Sequence, residues 1–147
     1  SKLGGEASMR FCLDAIDAAM AGLVDAVVTA PIAKESWHLA GYKKYPGHTE
    51  LFAERTGSRE VAMMFAGGPI KVVLATVHIA VTAIQNHLTI GVINRPIRLV
   101  DQALREWFDI EKPRIAVCGL NPHAGENGAF GDEEDRLIKP AMTIARQ

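Results

Sequence analysis

Apolar side chains recur at helical spacing across residues 7–21 (Phe11, Leu13, Ile16, Ala19, Met20), and Gly22 supplies a stop. Residues 25–29 form a short β-branched run closed by Ala30 and Pro31, which predicts a buried strand. A short helix is expected over 34–39, ended by Gly41, and a loop over 42–47 leads to a second short helix over 49–55, closed by Gly57. Residues 61–65 and 71–77 have the apolar character of strands and are separated by Gly67, Gly68 and Pro69. Because tight turns need positive φ, the paired glycines predict a hairpin. Two amphipathic helices follow, over 81–88 and 97–108, the second opened by Pro96. A last strand over 115–118, a long loop over 119–131 and a helix-like stretch over 133–147 complete the pattern. The alternation predicts an α/β fold, a three-layer α/β/α sandwich on a mixed sheet, with residues 1–147 as a single domain.

Composition narrows the class without changing that picture. A chain of 147 residues, 48% apolar and 22% charged, is that of an ordinary globular protein with enough length for a core. A formal net charge of −1 gives no electrostatic case for nucleic acid or an anionic membrane surface. No apolar run approaches the roughly 18 residues of a membrane span. Lys2, Glu6 and Arg10 interrupt the start, so no signal peptide is read there. Cys12 and Cys118 lie in apolar runs without a CxxC partner, which predicts two buried thiols in a reducing, cytoplasmic setting. The chain opens on Ser1 rather than Met and closes within a helical pattern, as expected of the central piece of a longer protein.

The candidate chemistry gathers at strand ends, where open α/β sheets build their sites. One strand delivers His78; another delivers Asn121, Pro122, His123, Ala124, Gly125 and Glu126; a third leads through a helix to Gly47, His48 and Thr49. Neutral imidazole is a metal ligand, so His78 and His123 are candidate ligands of a divalent ion. Spacing alone leaves open that both simply hydrogen-bond loop carbonyls, since no HxH or HExxH pattern marks them. His48 and Thr49 open a helix, where free N–H groups and the dipole favour an anion, or where Thr49 is an ordinary cap. His38 and His87 read as surface residues. Gly125, Gly128 and Gly131 imitate a dinucleotide-binding turn with the wrong spacing, and Asp132, Glu133 and Glu134 would repel a pyrophosphate there.

The stretches DAVVTAPIAKE (25–35), PGHTELFAERTG (46–57), TVH (76–78) and CGLNPHAGENGAFGDEE (118–134) together carry a resemblance. The sequence resembles the 4-hydroxythreonine-4-phosphate dehydrogenase family of pyridoxal phosphate biosynthesis, whose fold is like that of isocitrate and isopropylmalate dehydrogenases. The resemblance implies that His48 and Thr49 bind substrate and that His78 and His123 are two of three metal ligands. The third ligand would come from a Tyr-His-Asp-Gln-Gly segment that this sequence does not contain. Residues Ile79, Ala80 and Val81 depart from the family's usual Leu-Pro-Leu. The resemblance further implies NAD and a divalent metal (Zn, Mg or Co) as cofactors, a small phosphorylated substrate and a homodimer with no nucleic acid or membrane partner. The implied reaction oxidises 4-phosphohydroxy-L-threonine to a 3-keto acid that decarboxylates to 3-amino-2-oxopropyl phosphate. A sibling dehydrogenase for D-threonate or D-erythronate 4-phosphate shares the same motifs. A non-catalytic dimerisation module is the alternative for the chain by itself.

Overall fold

The structure, a computed structural model, describes all residues 1–147, and the chain groups into two compact units, Ser1–Val61 and Ala62–Gln147.

The first unit is helical. Helix α1 (Lys2–Met20) starts earlier than its apolar pattern, and the Ser1 hydroxyl caps its first turn by accepting the Gly4 N–H at 3.2 Å. Gly5, Met9, Cys12 and Ile16 form its buried face, a spacing of three and four residues. Helix α2 (Lys34–Leu39) and helix α3 (His48–Thr56) match expectation closely, and Gly57 ends α3 in the left-handed region at φ 68°. Met9, Cys12, Ile16, Trp37, Tyr45 and Leu51 form the core, with Trp37 fully buried and its indole N–H donating to Ser8 Oγ at 2.8 Å. Truncating such a buried Trp costs about 3–5 kcal/mol.

The second unit carries the only sheet, strands β1 (Met64–Phe65) and β2 (Val72–Val73), paired antiparallel with Met64 opposite Val73. The hairpin is borne out, but it is shorter than expected, and Gly67 and Gly68 do not adopt positive φ. A connection over 66–71 is long enough to turn without the left-handed residues of a two-residue loop. The expected strands at 25–29 and 115–118 are not formed. Their apolar residues have no neighbouring strand to complete a ladder, and Val28 is 97% exposed. Burial still alternates along 113–118, the signature of an extended segment packed on one side. Within these residues the architecture is α/β, with one two-stranded sheet among the helices.

A 3₁₀ turn (Val81–Ala83) and helix α4 (Ile84–His87) replace the single helix expected over 81–88. Helix α5 (Ile90–Glu106) begins at Thr89, whose hydroxyl accepts the Val92 N–H at 3.2 Å. Pro96 therefore sits inside α5, buried, and does not open it. A proline there removes the N–H that Val92 O would accept, yet its apolar ring packs on the core face. The chain ends in a widened π turn (Glu134–Ile138) running into helix α6 (Lys139–Ala145). Ile93, Ile138 and Ala141 centre this unit's core, and Asn94 Nδ2 donates to Ala141 O at 3.1 Å, tying α5 to α6. No helix is long and apolar enough to cross a membrane.

Candidate functional site

His48 opens α3 immediately after Gly47, a residue with no side chain to cap the helix, so the first backbone N–H groups have no side-chain acceptor. Thr49 is consequently not a cap. The His48 ring lies edge-on to Trp37 at 5.7 Å and tilted against Phe52 at 6.1 Å. Burial against these rings lowers its pKa, so the imidazole is held neutral near pH 7. Its Nε2 is buried without a hydrogen-bond partner in the chain, at a cost of about 1–3 kcal/mol. The preceding loop is pinned to the other end of α3, since Lys44 Nζ and Tyr45 Oη both donate to Glu54 Oε1, at 2.6 and 2.9 Å. The hydrogen bond from Lys44 is the main reason the Glu54 carboxyl stays below its ordinary pKa. This clip was not read from the sequence, because Glu54 faces Lys44 only once the loop folds back.

His78 and His123 both lie in the second unit, and both are exposed with left-handed backbone, at φ 57° and 52°. Such φ is uncommon outside glycine and is found at functional sites more often than elsewhere. His123 Nδ1 is 4.0 Å from Glu126 Oε2, and its ring is 6.0 Å from that of Phe130. It lines an open, polar pocket of about 400 Å³ with Ala124, Glu126, Asn127, Asp135 and Lys139. Exposed imidazoles are suitable donors for a divalent ion. No three His, Cys, Asp or Glu side chains gather into a group able to hold one. His38 and His87 are exposed, as expected, and His87 Nδ1 meets Ala83 O at 2.9 Å. Cys118 is exposed, against the expectation of burial, because the run that carries it is not sandwiched in a sheet; Cys12 is buried.

The loop bearing His123 has an unusual backbone. His123, Ala124, Gly125, Glu126 and Asn127 are consecutive left-handed residues with φ between 41° and 83°. For a non-glycine residue this conformation costs roughly 1–2 kcal/mol. Glu134, almost fully buried, turns back onto the entry to this loop. Its Oε1 accepts the N–H groups of Leu120 and Asn121 at 2.8 and 2.7 Å, and its Oε2 accepts Asn121 Nδ2 at 3.0 Å. Donation from the Asn121 backbone, then from its side chain, pulls the Glu134 pKa down to about 2. The acidic run 132–134 was visible in the sequence, but its inward turn was not.

These features belong to an α/β chain, and solved structures agree with that fold class. The crystal structure of 4-hydroxythreonine-4-phosphate dehydrogenase from Klebsiella pneumoniae superposes with a TM-score of 0.87 at 43% identity, over 97% of this chain and 42% of that one. The family described as pyridoxal phosphate biosynthetic protein PdxA matches residues 1–147, and the chain belongs to that family. Among curated relatives, 4-hydroxythreonine-4-phosphate dehydrogenase of Desulfosudis oleivorans is 47% identical over 97% of this chain and 42% of its own length. D-threonate 4-phosphate dehydrogenase of Salmonella typhimurium is 45% identical over 97% of this chain and 43% of its own. The chain thus spans well under half the length of the curated relatives it matches.

Proposed function

We propose that the chain is the central part of an NAD-dependent, divalent-metal-dependent dehydrogenase for 4-phosphohydroxy-L-threonine. The family match over the whole chain carries this reading. The substrate's secondary alcohol loses hydride to NAD and a proton to solvent. The resulting 3-keto acid loses carbon dioxide, leaving 3-amino-2-oxopropyl phosphate.

His48 and Thr49 bind substrate at the amino end of α3, where the side-chain-free cap and the helix dipole favour an anionic group. The orphaned Nε2 of His48 supports this role, because a substrate hydroxyl or phosphate oxygen would satisfy it. His78 and His123 supply two imidazole ligands, and the third comes from a segment outside these residues. A bound Zn, Mg or Co ion supplies Lewis acidity that eases loss of the substrate's hydroxyl proton. In the full-length protein the fold is a three-layer α/β/α sandwich on a mixed sheet, like that of isocitrate dehydrogenase. The protein works as a cytoplasmic homodimer.

The Salmonella relative's name favours a second reading, D-threonate 4-phosphate as substrate. Both readings are tested by NADH formation in the full-length protein. Faster turnover of 4-phosphohydroxy-L-threonine is expected, and faster turnover of D-threonate 4-phosphate would replace the first reading with the second. Zn(II) titration of the same protein tests the ligands. His78→Ala and His123→Ala should each weaken binding at least about tenfold, and unchanged affinity in both would remove the metal assignment.

A further inference from the structure

We propose that Glu134 is the positioning residue of the site, the carboxylate that holds the left-handed loop in the course that presents His123. Both N–H groups at the loop's entry, from Leu120 and Asn121, end on one oxygen of this carboxylate. Its other oxygen takes one proton of the Asn121 amide, whose second proton goes to Glu133 Oε2 at 2.8 Å. The amide's two donors are therefore both used, which fixes the Asn121 side chain and the backbone to which it is attached.

The backbone is shaped around this carboxylate. A Cβ at Gly125 would stand 3.0 Å from Glu134 Oε2 and 2.6 Å from Gly131 O, and one at Gly119 would stand 3.4 Å from Glu134 Oε1. Glycine at 125 thus lets the loop close down on Glu134, while a Cβ at Gly119 would press on Ala124 at 3.3 Å. At the ends of the turn, backbone hydrogen bonds run from Ala124 N to Asn121 O, from Ala129 N to Glu126 O and from Phe130 N to Gly125 O. The left-handed run begins at His123, two residues beyond Asn121, so the grip on Leu120 and Asn121 sets the course on which the imidazole leaves the loop's entry. The consequence for the site rests on the reading of His123 as a metal ligand; the consequence for the loop does not.

The test uses the 147-residue chain with Glu134→Gln and Glu134→Ala. Glu134→Gln keeps one acceptor for the two N–H groups but sets an amide against Asn121 Nδ2. Hydrogen exchange at the Leu120 and Asn121 amides should accelerate at least about tenfold. The His123 ring signals, shifted by the Phe130 ring, should move toward their unfolded positions while the melting temperature changes little in Glu134→Gln. Co(II) affinity in the full-length protein should fall about 10–100-fold, as for other groups that orient a ligand from behind. Unchanged exchange and unchanged His123 signals in the folded variants would overturn the proposal. So would a lowered melting temperature with His123 signals intact, since Glu134 would then be purely structural. If Glu134→Ala does not fold, Glu134→Gln decides. Failure of the unaltered full-length protein to bind Co(II) would remove the metal reading alone, with the His123 signals still deciding the role of Glu134.

Discussion

At Gly5 a single hydrogen atom decides how two helices cross. A Cβ there would stand 1.9 Å from the Ser36 carbonyl oxygen, which belongs to α2 and cannot swing aside as a side-chain tip would. Glycine within a helix ordinarily costs about 1 kcal/mol relative to alanine, so Gly5→Ala would be favourable in an open helix. Here overpacking should win, with a net loss of about 1–3 kcal/mol read as a lower urea midpoint. His48 gives a second residue-scale expectation. Its folded pKa lies below the ordinary value of 6.5, so its contribution to stability is full above that value and is lost as pH falls through the folded pKa. Melting temperature should drop from pH 7 toward pH 5, and His48→Phe should flatten that limb. An equal slope in the variant would show that another group is responsible.

Among the elements, helices were more legible than strands, of which only the hairpin formed. A helix closes its hydrogen bonds within its own sequence, so residues 34–39 and the α3 stretch could be read from apolar spacing and the glycines that follow. The start of α5 was misplaced because Pro96 resembles a first-turn proline, whereas Thr89 is the actual cap. A strand needs a partner, and runs 25–29 and 115–118 contain nothing that says where one would come from. The 119–131 loop offers the sharpest element-scale comparison. Gly125→Ala would place a methyl 2.6 Å from the Gly131 carbonyl oxygen at φ 83°, while Gly128→Ala, at φ 92°, meets nothing within 4 Å. The first should destabilise the second unit by about 2–4 kcal/mol and the second by about 1–2 kcal/mol, measured by urea unfolding. Equal costs would mean that the close approach at Gly125 does not hold in solution. The same loop should respond to acid. Because Glu134 titrates at about 2, its stabilisation is present above the ordinary glutamate value of 4.5 and is lost as pH falls toward 2. Asn121 amide protection should persist at pH 5 and fade below pH 4.

For the whole molecule, each unit has its own core, one built on Trp37 and the other on Ile93, Ile138 and Ala141. The two tryptophans report on them separately, since Trp37 is fully buried in the first unit and Trp107 is 77% exposed in the second. A Trp107→Phe chain should therefore show a fluorescence red shift of Trp37 on unfolding, and a Trp37→Phe chain should show little. By itself the sequence determined helices α2 and α3, the hairpin and the family resemblance, because local periodicity, punctuating glycines and the PGHTE and NPHAGE stretches are written in neighbouring residues. It also singled out His78 and His123, which follow apolar runs, and His48 and Thr49, which open a helix after Gly47, since both placements are local features. Only the tertiary structure decided that two of those runs stay unpaired, that His48 is wedged against Trp37 and Phe52, and that Glu134 folds back onto Asn121. Apart from the His48–Phe52 contact within α3, those facts join residues 11 or more positions apart or depend on what lies beside an edge, and no pattern of neighbours along the chain encodes them.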